Sequence, residues 1–189
     1  VFLMLPFSTT EPGCMNILDA FFTSTSAVCV TGLIVVDTGT FFTPFGQGVI
    51  LALIQIGGLG IMTMSTFFLI MLRKRLSLKD RLLLQDAVGQ SRIQGLKSLI
   101  KMIVITTVLV EAVGAFLIAW RLRQAYGYGL SPAVVSGIFH SISAFCNAGF
   151  SLYPDSIMRF GADWWITLTM GILIFLGGIG FLIWYNLTH

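Results

Sequence analysis

Charge is what this sequence has least of. Only 10% of its 189 residues are Asp, Glu, Lys or Arg, against about a quarter in an ordinary soluble domain. With 56% hydrophobic residues and a mean hydropathy of +0.92, the shortage excludes a soluble globular domain and makes the lipid bilayer the chain's solvent. Cysteine is also scarce. Cys14, Cys29 and Cys146 form neither an even disulfide framework nor a CxxC pair, so no disulfide scaffold or zinc site is implied, and Cys29 and Cys146 read as small apolar fillers. The net charge of +3 is no nucleic-acid footprint, because eight of the eleven Lys and Arg residues lie between Arg73 and Lys101. Basic residues gathered in one loop set the orientation of a membrane protein. The start does not read as a signal peptide: Val1 opens inside the apolar run VFLMLPF, without an initiator methionine, a charged start or a cleavage site. With the chain stopping just after an apolar stretch, at Tyr185 to His189, the sequence reads as part of a longer protein.

What is present is an internal repeat. The stretch from Asn16 to Val36, NILDAFFTSTSAVCVTGLIVV, returns from Pro132 to Leu152 as PAVVSGIFHSISAFCNAGFSL. With Ser26 laid on Ser143, the copies share Ala27/Ala144, Cys29/Cys146, Gly32/Gly149, Phe22/Phe139 and Ser24/Ser141. Each apolar segment is about 12 residues long where about 20 are needed to span hydrocarbon, and each ends in small residues around one glycine. Such a segment reads as a re-entrant loop. Non-helical backbone at membrane depth is tolerated where protein buries it or where it lines a wet cavity, and carbonyls free in such a cavity can replace a cation's hydration shell. Gly32 and Gly149 are therefore candidate filter glycines, since glycine reaches backbone angles closed to other residues. The alternative, a plain turn after a short buried helix, is weakened by the in-register repetition.

Taken in order, Val1 to Phe7 reads as the tail of a spanning helix stopped by Pro6. Asn16 is a candidate N-cap for a first pore helix reaching about Val28, with Asp19 at the positive end of its dipole. Cys29 to Leu33 is the first filter. Asp37, in the return segment, is either a cation attractor at a pore mouth or a turn cap. Pro44 to Leu72 is long enough to cross the bilayer, and Gly57, Gly58 and Gly60 interrupt it at mid-depth. Close helix packing is the favoured role for these glycines and for their counterparts Gly177, Gly178 and Gly180; a hinge or gate is the alternative. Gln55 is expected to hydrogen-bond to a neighbouring helix.

Residues 73 to 101 form the charged connector, which the positive-inside rule makes cytoplasmic, with Leu82, Leu83 and Leu84 marking short amphipathic helices at the interface. A second span runs from Leu99 to Trp120 and carries Glu111 near its centre, either a functional ionisable group or a hydrogen-bonded structural one. Ser131 and Pro132 give a capped start to a second pore helix, which reaches about Phe145 and is followed by a second filter from Cys146 to Phe150. His140 has no Cys, His or carboxylate at ligand spacing and reads as a packed, hydrogen-bonded histidine. Trp164 and Trp165 anchor the outer interface, and a last span extends to Trp184. The expected architecture is thus an all-α membrane protein of two span, pore loop, span repeats: residues 1–72, a connector over 73–98, and residues 99–189.

Three stretches are specific enough to carry a resemblance: SAVCVTGLIVVDTGTFFTPFGQ (Ser26 to Gln47), ALIQIGGLGIMT (Ala52 to Thr63) and FHSISAFCNAGFSLYPD (Phe139 to Asp155). The chain resembles the potassium-translocating subunits of the Trk/Ktr/HKT superfamily, and among them the bacterial Ktr type. That resemblance implies four span, loop, span repeats around one pore with pseudo-fourfold symmetry, of which this chain looks like the first two. It implies that main-chain carbonyls of Val30, Thr31 and Gly32, and of Asn147, Ala148 and Gly149, hold potassium ions, with no organic cofactor in the chain. In plant members a serine at the first filter glycine goes with sodium selectivity, so Gly32 implies potassium. The resemblance further implies two more repeats on the same chain or a second copy, a homodimer, a cytosolic nucleotide-binding ring of the RCK type that gates the pore, and residence in the plasma (inner) membrane. Cys29 and Cys146 stand where the pattern leads one to expect Thr or Ser and Asn.

Two other classes of function compete. A membrane enzyme would need a nucleophile, base or metal cluster at depth, and Glu111 and His140 lie on separate elements with nothing to complete a site. A non-conducting accessory subunit, or a sodium-coupled potassium symporter, is compatible with the same residues.

Overall fold

A chain in hydrocarbon must satisfy its backbone polar groups within itself, and the helix does this residue by residue. The computed structural model describes residues 2–10, 15–73 and 91–179, and within helices the side chains of residues 62–73 and 91–100 are not described. Among the described residues there is no strand, only an isolated bridge between Thr9 and Phe42. The helices are α1 (Ile17–Val28), α2 (Thr38–Phe41), α3 (Pro44–Arg73), α4 (Ser91–Tyr126), α5 (Leu130–Phe145) and α6 (Trp164–Gly178), with 3₁₀ turns at Phe2–Met4 and Met158–Phe160.

Among the described residues two helices are long and apolar enough to cross a membrane, α3 through its window Pro44–Ile61 and α4 through Lys101–Tyr126. By contrast α1, with 12 residues, and α5, with 16, stop short. At about 1.5 Å per residue they reach about 18 and 24 Å, less than the hydrocarbon thickness of about 30 Å. The two long helices follow one another in the chain, and a short apolar helix, α1 or α5, lies on either side of the pair.

The starts of four segments differ in detail from expectation. Residues 2–4 form one 3₁₀ turn rather than the tail of an α-helix. Proline at position 6 disfavours the helical conformation at Leu5 and donates no hydrogen bond, and Ser8 Oγ instead closes the turn on the Phe2 carbonyl at 2.7 Å. Asn16 occupies the N-cap position of α1 in extended conformation, yet its side chain makes no capping bond. In α5 the cap is Gly129, two residues earlier than Ser131; Pro132 falls inside the first turn, where a missing N–H leaves no intrahelical bond unmade. The span holding Glu111 begins at Ser91 and ends at Tyr126, longer at both ends than Leu99 to Trp120. Lys74 to Gln90, with Leu82, Leu83 and Leu84, and Gly180 to His189, with Trp184, lie outside the described residues.

Packing builds two cores. One joins the repeats, bringing Ala27 of α1 and Ile50 and Ile54 of α3 against Phe139, Phe145, Cys146 and Phe150. The other belongs to the second repeat and gathers Ile118 and Leu122 of α4, Ala133 and Ala144 of α5, and Ile166, Met170 and Leu173 of α6. Lipid tails are as apolar as these side chains, so close van der Waals fit and shared hydrogen bonds hold such helices together, more than hydrophobic burial.

Candidate functional site

The site begins where α1 and α5 end. At α1 the amide of Val30 donates to the Ala27 carbonyl at 3.2 Å and that of Thr31 to the Ser26 carbonyl at 2.9 Å. At α5 Asn147 donates to Ala144 at 3.0 Å and Ala148 to Ser143 at 2.8 Å. This pair of crossed bonds is the Schellman termination, which needs a left-handed residue just past the cap. Val30 has φ 56° and Asn147 φ 59° accordingly. Asparagine adopts that region readily, whereas for a β-branched valine it is an outlier costing about 1–2 kcal/mol.

A second left-handed residue follows two positions on, Gly32 with φ 77° and Gly149 with φ 73°, while Thr31 and Ala148 between them keep negative φ. Among the described residues nothing donates a hydrogen bond to the carbonyls of Val30, Thr31, Gly32, Asn147, Ala148 or Gly149. The two loops meet at their glycines. A Cβ on Gly32 would collide with the Ala148 carbonyl oxygen, and one on Gly149 would lie 3.6 Å from the Gly32 Cα.

The glycines of the long helices serve close approach. A Cβ on Gly57 would strike the Val28 carbonyl at the end of α1, and one on Gly177 would strike the Phe145 carbonyl at the end of α5. Gly58 accommodates the Cys146 side chain, whereas Gly60 and Gly178 face no atom within 4 Å. Gly180 lies outside the described residues. Packing therefore accounts for three of these positions.

Gln55 of α3 hydrogen-bonds across helices as expected: its Nε2 donates to Glu111 Oε2 at 3.2 Å, and its Oε1 lies 4.0 Å from Cys146 Sγ. Glu111 is buried, its Oε1 lacks a partner, and its backbone carbonyl accepts from Ser141 Oγ at 2.7 Å. Its place is thus behind the second loop, between α3, α4 and α5. Cys146 is buried, but Cys29 is exposed and fills no packed space. The equivalence of the two cysteines in sequence does not extend to their surroundings, because Gly58 and Gln55 of α3 lie against Cys146 while Cys29 is exposed.

Behind the second loop lies a buried polar cluster. His140 Nδ1 is 2.8 Å from the Ser136 carbonyl, and Nε2 is 2.9 Å from Ser151 Oγ and 3.3 Å from the Leu152 amide. Tyr153 stacks on the imidazole with centroids 5.0 Å apart. His140 is the packed, hydrogen-bonded residue that its isolation in sequence implies, and among the described residues no group of three metal-ligating side chains exists. Ser136 and Ser151 escape sequence reasoning as part of the site; the serine one helical turn before the histidine is the one signal for them.

Charged groups gather outside the spans. Asp37 caps α2, accepting from the Thr40 amide at 2.8 Å, which makes it a turn cap. The Arg159 guanidinium beside Asp155 holds that carboxyl below its usual value. Partial burial would raise the Asp163 carboxyl, but hydrogen bonds from Arg121, Tyr126 and the amides of Trp165 and Ile166 bring it below the ordinary range.

The sequence matches a known family. The model of the family described as TrkH, cation transport protein, matches residues 5–189. The chain belongs to the TrkH family. The family is described as one of cation transport, and the long apolar helices fit a membrane protein. It is 46% identical over 186 residues to the Ktr system potassium uptake protein B of Bacillus subtilis, covering 98% of this chain and 41% of that protein. The Ktr system potassium uptake protein B of Vibrio alginolyticus is 44% identical over 167 residues, covering 88% and 36%. A potassium/sodium uptake protein of Enterococcus hirae, NtpJ, is 34% identical over 185 residues, covering 98% and 41%. The chain thus spans about two fifths of the length of these curated relatives.

Proposed function

We propose that this TrkH-family chain supplies two sides of a potassium-conducting pore, with the carbonyls of Val30, Thr31, Gly32, Asn147, Ala148 and Gly149 taking the place of the ion's water. The observation that carries this reading is the doubled stretch of unpartnered carbonyls on backbone of alternating φ sign, at equivalent positions of both repeats. Alternation of that kind turns successive peptide planes alike, so that their dipoles share a face. A strained Val30 fits too, since strained backbone persists where function demands the geometry. Unpartnered carbonyls at membrane depth are costly unless an ion or water meets them.

Two loops coordinate an ion from two sides. The remaining sides come from two further repeats in pseudo-fourfold arrangement, on the same polypeptide or on a second copy. The outward face of α1 supports such a neighbour: Ile17, Leu18 and Phe21 are about 70% exposed. In this reading residues 1–72 and 99–189 are the two repeats in the plasma membrane. Residues 73–101 face the cytoplasm and dock an RCK-type nucleotide-binding ring, and the assembly is a homodimer. The printed name of the B. subtilis relative, a component of a potassium uptake system, supports an assembly of several subunits. The name of the E. hirae relative keeps sodium in view as a second or coupled ion.

The test is uptake of rubidium or potassium by the full polypeptide in proteoliposomes, with sodium as competitor and with an inward sodium gradient imposed or absent. Selective uptake that ignores the sodium gradient supports a channel-like pore. Dependence on the gradient supports the symporter, and no flux at all supports an accessory subunit.

A further inference from the structure

We infer that His140 is a positioning residue for the outer limb of the second filter loop, residues 150–153, and that ion selectivity depends on it through Ser151 and Leu152. The inference rests on the pore reading above.

The hydrogen-bond partners fix the tautomer. The Ser136 carbonyl only accepts, so Nδ1, 2.8 Å away, carries the proton; the Leu152 amide only donates, so Nε2, 3.3 Å away, is the acceptor. Ser151 Oγ donates to Nε2 at 2.9 Å and accepts from the Tyr153 amide at 3.1 Å. Tyr153 covers one face of the ring, with an interplanar angle of 13°, and its hydroxyl pairs with Ser136 Oγ at 2.7 Å. Both edges and one face of the imidazole are thus spoken for, and the ring joins α5 to three consecutive residues beyond the filter.

The limb it holds is also where the repeats touch. A Cβ on Gly39 would collide with the Leu152 carbonyl, so Leu152 is gripped by its amide from His140 and seated by its carbonyl against the first repeat. Packing does not do this holding alone. A cavity of about 180 Å³, lined by His140, Ser143, Asn147, Gly149 and Ser156 among others, lies behind the loop and gives it room to relax.

A general need of the fold for histidine is contradicted by the first repeat. There the equivalent positions are Thr23 and Ile34, and the Thr23 hydroxyl is buried without a partner, yet the same Schellman turn and left-handed glycine form. His140 is therefore an addition to the turn, directed at the segment that follows it.

The experiment compares His140→Leu and His140→Gln in the full polypeptide; the Gln amide oxygen can accept where Nε2 does. Amide hydrogen exchange over residues 150–153 reports the limb, and the ratio of potassium to sodium uptake reports selectivity. The Leu variant should exchange about tenfold faster there and lose about tenfold in the uptake ratio, while the Gln variant should stay within about threefold of the unmodified protein in both. Unchanged exchange, an unchanged ratio, or a Gln variant as damaged as the Leu variant would overturn the inference. Ser151→Ala removes one of the two donors to Nε2 and guards against a Leu variant that fails to assemble. Its expected effect is about threefold in the same direction, and no effect overturns the inference equally. An unmodified protein that moves no potassium would sink the pore reading instead, and the exchange data would still decide whether His140 holds the limb.

Discussion

The first loop and the second end their helices with the same two backbone bonds, Thr31 to Ser26 and Val30 to Ala27 in one, Ala148 to Ser143 and Asn147 to Ala144 in the other. Behind that common turn they diverge. Ser143 Oγ donates to the Phe150 carbonyl at 2.6 Å, whereas Ser26 Oγ has no partner. Phe150 is buried, while its counterpart Leu33 is 58% exposed, as are Ile34 and Val35 at about half. The shape of the turn comes from main-chain bonds and a glycine; its stiffness comes from side chains specified separately in each repeat.

Substitutions can break this comparison in order of size. Gly32→Ala should be the most damaging: it places a side chain at a left-handed φ and drives it into the Ala148 carbonyl, for about 3 kcal/mol, with potassium selectivity lost. Gly149→Ala meets only a Cα at ordinary contact distance and should cost about 1–2 kcal/mol. Thermal unfolding and uptake of potassium against sodium check both, and equal effects would show that the contact at Gly32 is unimportant. Gly57→Ala and Gly177→Ala test what the repeats share. Each should cost about 2 kcal/mol, because a backbone carbonyl has to move aside, while Gly60→Ala should be neutral or slightly stabilising.

Exchanging the turn residues sharpens the comparison. Val30→Asn should stabilise by about 1 kcal/mol by relieving the left-handed valine, and Asn147→Val should destabilise by at least as much, since Asn147 Nδ2 also lies 3.4 Å from the Phe145 and Ile174 carbonyls. A denaturation series on the two variants gives the signs directly.

The smallest effect concerns pH and belongs to the second repeat. Asp155 and Asp163 have folded-state values below their unfolded ones, so their contribution is fully present above about pH 4 and disappears as pH falls through the folded values. Asp163→Asn keeps a capping side chain but loses the ion pair with Arg121, which should cost about 0.5 kcal/mol at pH 7 and flatten the acid limb of a melting-temperature profile.

Much of this was legible in the sequence because two periodicities are strong: long apolar runs for α3 and α4, and a repeated short segment ending at a glycine. Gly32 and Gly149 could be picked out since a left-handed residue leaves a chemical mark. Gln55 was legible as a polar group with nowhere else to turn. The bracing was not, because it depends on residues far apart in the chain: Leu152 against Gly39, and Glu111 against Gln55. Nor do helix starts follow from residue type alone. Asn16 and Ser131 are good caps by propensity, yet Asn16 takes the N-cap position of α1 without a side-chain bond, and Gly129 takes that position in α5. The equivalence of Cys29 and Cys146 misled for the same reason, as burial is a property of neighbours.

The contacts of Gly57 with the Val28 carbonyl and of Gly177 with the Phe145 carbonyl are main chain resting on main chain. Side chains act as cushions, changing rotamer to absorb a shift of an ångström before it reaches the next element. Here no cushion intervenes. A tilt or slide of α3 or α6 at these points is delivered undamped to the last turn of α1 or α5, one residue before its cap. Any movement of these helices that leaves α1 and α5 undisturbed must pivot at these two glycines, with the displacement confined to the segments beyond them.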